Sequence, residues 1–330
     1  MYLMYFNLDW EIYFKNEVEN KVYRLGLLLE CEIEKNVENL ADIATITLPE
    51  SDLNEVLDFN KKIGRGCKVL IKAGYNGDLK TEFIGFVRDI TTDGSLKIHC
   101  EDALFLFRRG IKDKMLKPTS VKQIAEYVCS EIGEAYKVIC DYDLNYEKFV
   151  IHQATGYDVL QKLQEETKAN VYFNTEKKEL HIHPPFTEKG GYVIYCMQKN
   201  IEKSSLEYKK AIDRKLEVTV ESIQKNGTVK TVKSGNTGGD TVTLKVGQMS
   251  EADAKKIAEA EVLKRSSDMY EGSFDTWLIP YCEPTYSAKI VDFDYSEQSA
   301  IYYVKATKVN ISSSGGVRTI TPGIKLATVK

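Results

Sequence analysis

The chain of 330 residues has no long apolar run. Its longest stretches, such as Leu25–Leu29, fall far short of the about 20 residues that a helix needs to cross a bilayer. C-x-x-C pairs are also missing. The seven cysteines (31, 67, 100, 129, 140, 196 and 282) stand singly and are odd in number. That pattern excludes a regular disulfide framework and predicts free thiols, acting as small buried hydrophobes in a reducing compartment. There is no basic run, and a net charge of −4 gives none of the electrostatic footprint of a nucleic-acid binder. G-x-S-x-G, P-loop and H-E-x-x-H motifs are absent, and so is any repeat at a fixed period. The opening MYLMYFNLDWEIYF has neither a basic leader nor an uninterrupted apolar core. It predicts a first strand rather than a signal peptide.

What is present is a succession of short alternating strands. Leu25 to Glu34, Ala44–Leu48 before Pro49, and Cys67–Ile71 after the Lys61–Gly66 turn each fit the pattern. Asn76-Gly77 is a turn signal. Residues 83–106, FIGFVRDITTDGSLKIHCEDALFL, form a predicted hairpin turning at Asp93-Gly94. In its first strand Ile84, Phe86 and Ile90 are expected on one side, with Arg88 as the exception. Such strands predict a small antiparallel barrel or sandwich.

The pattern then changes to helical spacing. Ser120 and Gln123 form a capping-box pair ahead of Val121, Ile124, Ala125, Val128 and Ile132, with Gly133 as the stop. A strand near Tyr136–Cys140 follows. A second helix opens at Thr155 with Asp158 three residues on, and turns Val159, Leu160 and Leu163 inward. Strands at Asn170–Phe173 and Glu179–His183, joined by Thr175–Lys178, complete an α+β module of about 85 residues. Past Pro184-Pro185, strands return at Ala211–Ile223 and Thr228–Lys233 around Asn226-Gly227. SGNTGGD (234–240) is expected to be a loop tip that tolerates deletion. One helix, from Ser250 with Asp253, offers Ala254, Ile257, Ala258 and Val262. The last strands are Ser273–Ile279, Ala288–Tyr295, Ala300–Asn310 and Val317–Thr321. The expected class is mainly β with an α+β insertion: two small antiparallel β-barrels plus an α+β module. The expected domains are 1–110 (first barrel), 111–190 (α+β insertion) and 191–330 (second barrel, with one helix at about 250–266).

Candidate chemistry is sparse. His181-Ile182-His183 puts two imidazoles on one side of a strand, but His99 and His152 have no spacing that predicts convergence on them. The expectation is a strand end packed under Pro184-Pro185, with no metal site. The carboxylate pairs Glu165-Glu166, Asp141/Asp143 and Asp292/Asp294 are the residue type glycosidic chemistry uses, yet nothing in the sequence sets a pair in a cleft, and solvated faces are expected. Gly64-Arg65-Gly66 and SGNTGGD are turns that open no helix, and no cysteine has an evident His partner. Catalytic, cofactor-binding and metal residues are therefore all expected to be none. Tyrosine, at 20 residues, suits assembly interfaces or ordinary strand positions alike. The acidic pair Glu101-Asp102 is left as a question: catalyst or structural join.

Residues 61–186 resemble phage baseplate hub proteins in their order of pieces. Gly85-Phe86-Val87, Ile98, Glu101-Asp102 and Leu104 match that family's first-barrel hairpin and its acidic exit. Asp158, Leu160, Leu163 and Ala169 match the second helix of its insertion domain. The family includes contractile hubs of the Mu and P2 type, hubs of PBSX-kind prophages, and the N-terminal half of type VI secretion spike proteins. The resemblance implies a non-enzymatic homotrimer whose paired barrels make a pseudo-six-fold ring between the six-fold tail tube and the three-fold spike. Its partners would be the tail tube protein, the spike protein and other baseplate proteins. It would assemble in the bacterial cytoplasm and end in a virion tail or tail-like particle, with the spike and any lytic domain on separate chains. It also implies that Asp102 caps the turn at Ala103–Phe107, with Arg108 and Arg109 as ion-pair partners. Other readings stay open: a tail-tip protein of a non-contractile phage, a cell-wall-acting carbohydrate-active enzyme using a carboxylate pair, or a receptor-binding β module.

Overall fold

The computed structural model describes residues 6–49, 62–92, 94–187, 190–211, 215–223 and 227–328. Seven strands build the first β unit: β1 (Leu8–Asn16), β2 (Lys21–Arg24), β3 (Glu30–Asn36), β4 (Ile43–Leu48), β5 (Lys68–Tyr75), β6 (Asp78–Thr91) and β7 (Leu96–Glu101). Asn76 and Gly77 both take positive φ, at 52° and 82°, and this is the local geometry that folds β5 back onto β6. The hairpin of 83–106 forms as expected, with Gly94 at φ 79°; Asp93 lies outside the described residues.

The facing of that hairpin differs from the expectation. Val87 pairs with Cys100 but Asp89 with His99, so Arg88 is the extra residue of a β-bulge and reverses the alternation. Phe83 and Val87 face the core, whereas Phe86 lies on the opposite face, stacked on Phe105 at 5.6 Å. Arg88 disturbs the pattern because the backbone gains a residue there.

The middle module opens with a single helical turn, α1 (Leu104–Phe107), and continues through β8 (Lys114–Leu116) and β9 (Thr119–Ser120). Helix α2 (Val121–Ile132) is held by the Ser120/Gln123 capping box and stopped by Gly133 at φ 74°. Then come β10 (Lys137–Cys140), β11 (Asn145–Tyr146) and β12 (Phe149–Ile151). Helix α3 (Gly156–Thr167) starts on a Thr155/Asp158 box, and β13 (Asn170–Asn174) and β14 (Glu179–His183) follow it. Strand β14 lies between β13 and β10. Leu160 and Leu163 are fully buried, so truncating either to Ala costs about 2–5 kcal/mol.

The remainder holds β15 (Tyr192–Cys196), β16 (Lys203–Ser204), β17 (Glu207–Lys209), β18 (Leu216–Ile223), β19 (Val229–Gly235) and β20 (Asp240–Val246). Helix α4 (Glu251–Ser266) follows, then β21 (Met269–Glu271), β22 (Phe274–Trp277), β23 (Ser287–Val291), β24 (Ala300–Ser312) and β25 (Gly315–Thr328). Ser250 caps α4 by accepting from Asp253 N–H, as its spacing predicts. SGNTGGD is not a free tip. Strand β19 pairs antiparallel with one side of β18 and β20 parallel with the other, so the segment must cross the start of β18. It is fastened there by Asn236 N–H to Leu216 O (2.7 Å) and Asp240 N–H to Lys215 O (2.9 Å). A Cβ at Gly235 would stand 2.2 Å from Leu216 O, so this crossing needs glycine.

The mainly-β class with an α+β insertion holds. No closed barrel forms among the described residues. Instead the two β units are one continuous sheet in the order β16-β22-β25-β24-β3-β4-β7-β6-β5-β1-β2. The union is β24 against β3, antiparallel from Ala306↔Asn36 to Ser312↔Glu30. Val309, Ile311 and Leu278 complete the first unit's core, while Val37 packs with Tyr303 and Ile324 of the second. A separate core joins α2, α3, β13 and β14 to Leu216, Val218, Val220 and the Ala254/Ile257/Ala258 face of α4. Residues 216–258 thus pack on the middle module.

Candidate functional site: a polar seam where three units meet

At the exit of β7 the chain passes from the first unit into the middle module. Gly85 makes this passage feasible: a Cβ there would lie 2.3 Å from Glu101 O. Glu101 is fully buried and accepts from Arg108 Nε at Oε2 (2.8 Å) and from Arg108 Nη2 at Oε1 (2.5 Å). Asp102 is 3% exposed. Its Oδ1 accepts from Leu104 N–H (2.9 Å) at the start of α1, and its Oδ2 from Asp42 N–H (3.1 Å). Asp102 N–H donates back to Asp42 O at 3.0 Å. The acidic pair is therefore a join, with Asp102 capping the turn as expected. Arg108 pairs with Glu101 rather than Asp102, and Arg109 contributes its carbonyl, which accepts from Gly156 N–H.

A second polar link crosses between the β units. Arg318 on β25 is 1% exposed and forks onto Glu82 of β6 through Nη2–Oε1 (2.8 Å) and Nη1–Oε2 (3.2 Å). It also donates to Cys282 O (3.0 Å) and lies 5.0 Å from the centre of the Tyr281 ring. Nearby, Lys35 at the end of β3 pairs with Glu283. Burial works against that ammonium, but Glu283 outweighs it and holds the Lys35 pKa above its ordinary value. Neither link was expected. The only signal was parity: Arg318 falls in step with Gly316 and Ile320, a core-facing row.

These links border a cavity of about 440 Å³ whose walls come from β3, β6, the β13–β14 hairpin and the 281–286 loop. His181 and His183 line it. They sit on one side of β14 as predicted, with Nδ1 of His181 3.1 Å from Nε2 of His183. His183 is bonded to Asp141, and His181 Nε2 lies 3.1 Å from Glu179. Tyr172 stacks on His181 at 4.9 Å. Burial first, then the neighbouring His183, hold the His181 imidazole below its ordinary pKa against the pull of Glu179. Among the described residues no group of three or more His, Cys, Asp or Glu side chains is arranged to hold a metal ion. His99 sits between Thr45 and Thr91, and His152 against Asp113.

The carboxylate pairs named from sequence do not line the cavity. Glu165 accepts from Gln161 on the exposed side of α3. Glu166 is pushed above the ordinary carboxylate range by burial, so a solvated face is the wrong description of it. Asp292 is likewise mostly buried. It organises a turn by accepting from Gln198 Nε2 (2.9 Å) and from Asp294 N–H (2.9 Å). Asp141 belongs to His183. The seven cysteines are free and all but Cys140 are buried; burial pushes the Cys129 and Cys282 thiols up to about 12, which suppresses the thiolate.

No family model matches the sequence, and no curated protein matches it in sequence. Solved structures do match. A tail protein from Neisseria meningitidis MC58 superimposes with a TM-score of 0.68 at 14% identity, over 95% of this chain and 96% of that one. The 43 kDa tail protein of prophage MuSo2 from Shewanella oneidensis gives 0.63 at 15% identity, over 97% of this chain and 100% of that one. The E. coli c3393 protein, a component of the type VI secretion system with structural similarity to T4 phage tail proteins, gives 0.56 at 10% identity. That match spans 92% of this chain and 77% of c3393. Nearly the whole chain has the fold of phage tail and type VI secretion proteins.

Proposed function

We propose that this chain is a structural component of a phage tail or tail-like particle, and specifically its baseplate hub. In this reading three copies form the ring that joins a six-fold tail tube to a three-fold spike. The observation that carries it is the near full-length superposition on tail proteins, insertion module included. The union of both β units in one sheet supports it, because β24 against β3 fixes the angle between the units within each copy. The divisions at residues 110 and 190 belong to this proposal, with 216–266 docking on the middle module. The protein would be assembled in the bacterial cytoplasm, meet tube, spike and other baseplate proteins there, and perform no turnover.

Light scattering on a sizing column across a concentration series tests it. The expected mass is that of a trimer, alone or after mixing with the tube and spike proteins. A chain that stays monomeric with both partners present sinks the hub reading. Hydrolysis of cell-wall substrate, lost on Glu165→Gln, would replace it with the enzymatic one. A sheath gene beside this one separates the contractile hub from a tail-tip protein of a non-contractile phage.

A further inference from the structure

We propose that Glu179, His181, His183 and Asp141 form one proton-binding row, which holds one proton more than two neutral imidazoles supply. The row is continuous. His181 Nε2 lies 3.1 Å from Glu179 Oε2, and His181 Nδ1 lies 3.1 Å from His183 Nε2. His183 Nδ1 is bonded to Asp141 Oδ1. The two ring centres are 5.4 Å apart, so with 3.1 Å between them the facing nitrogens stand close to the line of centres. Lone pair meets lone pair there, and such a contact closes only with a proton between the rings. Each outer contact needs a proton too, because an ionised carboxylate only accepts. Three bonds therefore take three protons, and two neutral imidazoles carry two. The count is the same if the added proton sits on a carboxylate oxygen.

The row ties two strands together. Glu179, His181 and His183 stand on β14, and Asp141 directly follows β10. Tyr172 of β13 covers both rings, at 4.9 Å from His181 and 5.9 Å from His183. His183 is 1% exposed, so a bond lost there leaves a buried nitrogen without its partner.

The surroundings suit one added proton and resist a second. Two carboxylates flank the rings within the row. Burial, His183 and Lys177 oppose a charge on His181, so the pair does not take two protons. On β10 the charged residues in step with the row are Lys137, opposite Glu179, and Asp141 itself. Glu176 stands beside Lys177 at the cavity rim. Across the cavity Glu283 is paired with Lys35 and Glu82 with Arg318, which leaves the negative Asp42 and Asp102 on that wall. Tyr172, Tyr281 and Tyr286 stay neutral, since burial pushes each phenol upward.

Opened, the two imidazoles carry two added protons well below about pH 6.5 and none well above it. Closed, they keep one across this window. The closed row is therefore favoured increasingly as pH rises to about 6.5. Above that it loses stability, because it holds a proton that the opened row has released.

Amide hydrogen exchange on the full chain tests the row, read on segments 137–141 and 179–183 with the intrinsic pH dependence divided out. Protection should be greatest near about pH 6.5 and fall on both sides by up to about tenfold per pH unit. Asp141→Asn lets an amide donate to His183 Nδ1, and Glu179→Gln lets one donate to His181 Nε2. Either row then closes with the two protons of neutral imidazoles, so the fall above about pH 6.5 should vanish in both variants. Wild-type protection that does not fall above about pH 6.5 overturns the proposal. So does a fall that persists in both variants.

Discussion

The two β units share one sheet but fill their cores differently. The first closes on aliphatic side chains: Ile12, Ile33, Ile46, Val69, Ile71 and Ile98 are buried with Phe14 and Phe83, and no tyrosine is among its buried members. The second closes on rings. Tyr195 packs on Phe274 at 4.9 Å, Tyr270 on Tyr302 at 4.9 Å and on Tyr208 at 5.4 Å. Three of the four tyrosine hydroxyls are tied down locally: Tyr302 donates to Gln298 O at 2.6 Å, Tyr270 to Gln298 Oε1 at 3.1 Å and Tyr208 to Asp268 Oδ2 at 3.2 Å. An aliphatic core is non-directional and tolerates repacking. A tyrosine core is directional, because each ring carries a polar end that must find its partner. So much buried tyrosine also shows where some of this residue type is used: inside the second unit rather than on a contact surface.

The point where the two cores meet should be the most sensitive. Arg318→Met removes the cation of the buried Arg318–Glu82 fork and leaves Glu82, itself 2% exposed, without its partner. We expect a loss of about 3–5 kcal/mol by denaturant titration. The double variant Arg318→Met/Glu82→Leu should recover most of it, since apolar side chains of similar volume replace such pairs well. If the double variant is as unstable as the single, the carbonyls of Cys282 and Leu278, which Arg318 also serves, are the larger part of its role.

Next in size is the aliphatic core. Ile98→Ala, at a fully buried position of β7, should cost about 2–5 kcal/mol. Because β24 supplies Val309 and Ile311 to this core, unfolding should remain a single transition seen equally by first-unit and second-unit probes. Two separated transitions would show that the shared sheet does not couple the units.

Local rules were legible in the sequence, and long-range ones were not. Ser120-Gln123, Thr155-Asp158, Ser250-Asp253 and Gly133 mark helix ends because each satisfies backbone groups within three or four residues of itself. Asn76-Gly77 marks its hairpin for the same reason. Arg88 shows the limit: a one-residue bulge reverses every facing after it, and nothing beside Arg88 announces it. The union of β24 with β3 and the packing of 216–258 on the middle module depend on which edges and faces remain open once the rest has folded. At the seam, Asp102 as a cap came with the resemblance to baseplate hub proteins; the residues alone left the acidic pair open between catalyst and join. Lys35, Glu82, Glu283 and Arg318 were not legible, because their partners lie hundreds of residues away along the chain, at separations of 248 and 236.

The smallest effect tests how far the tyrosine core reaches. Tyr303 lies fully buried on β24, and its hydroxyl accepts from Asn170 Nδ2 at 2.9 Å, which joins the second unit to the first residue of β13. Tyr303→Phe keeps the ring and its edge-on contact with Phe186 but leaves the buried Asn170 amide without that acceptor. The expected cost is about 1–3 kcal/mol, the penalty for one unsatisfied buried donor. Asn170→Ala should cost a similar amount. If the hydroxyl–amide bond is the whole of the link, the double variant should cost no more than the larger single, giving a coupling of about 1 kcal/mol or more in a double-mutant cycle. Additive losses would mean that the ring, not its polar end, holds the middle module to the second unit, and that the two cores differ in packing alone.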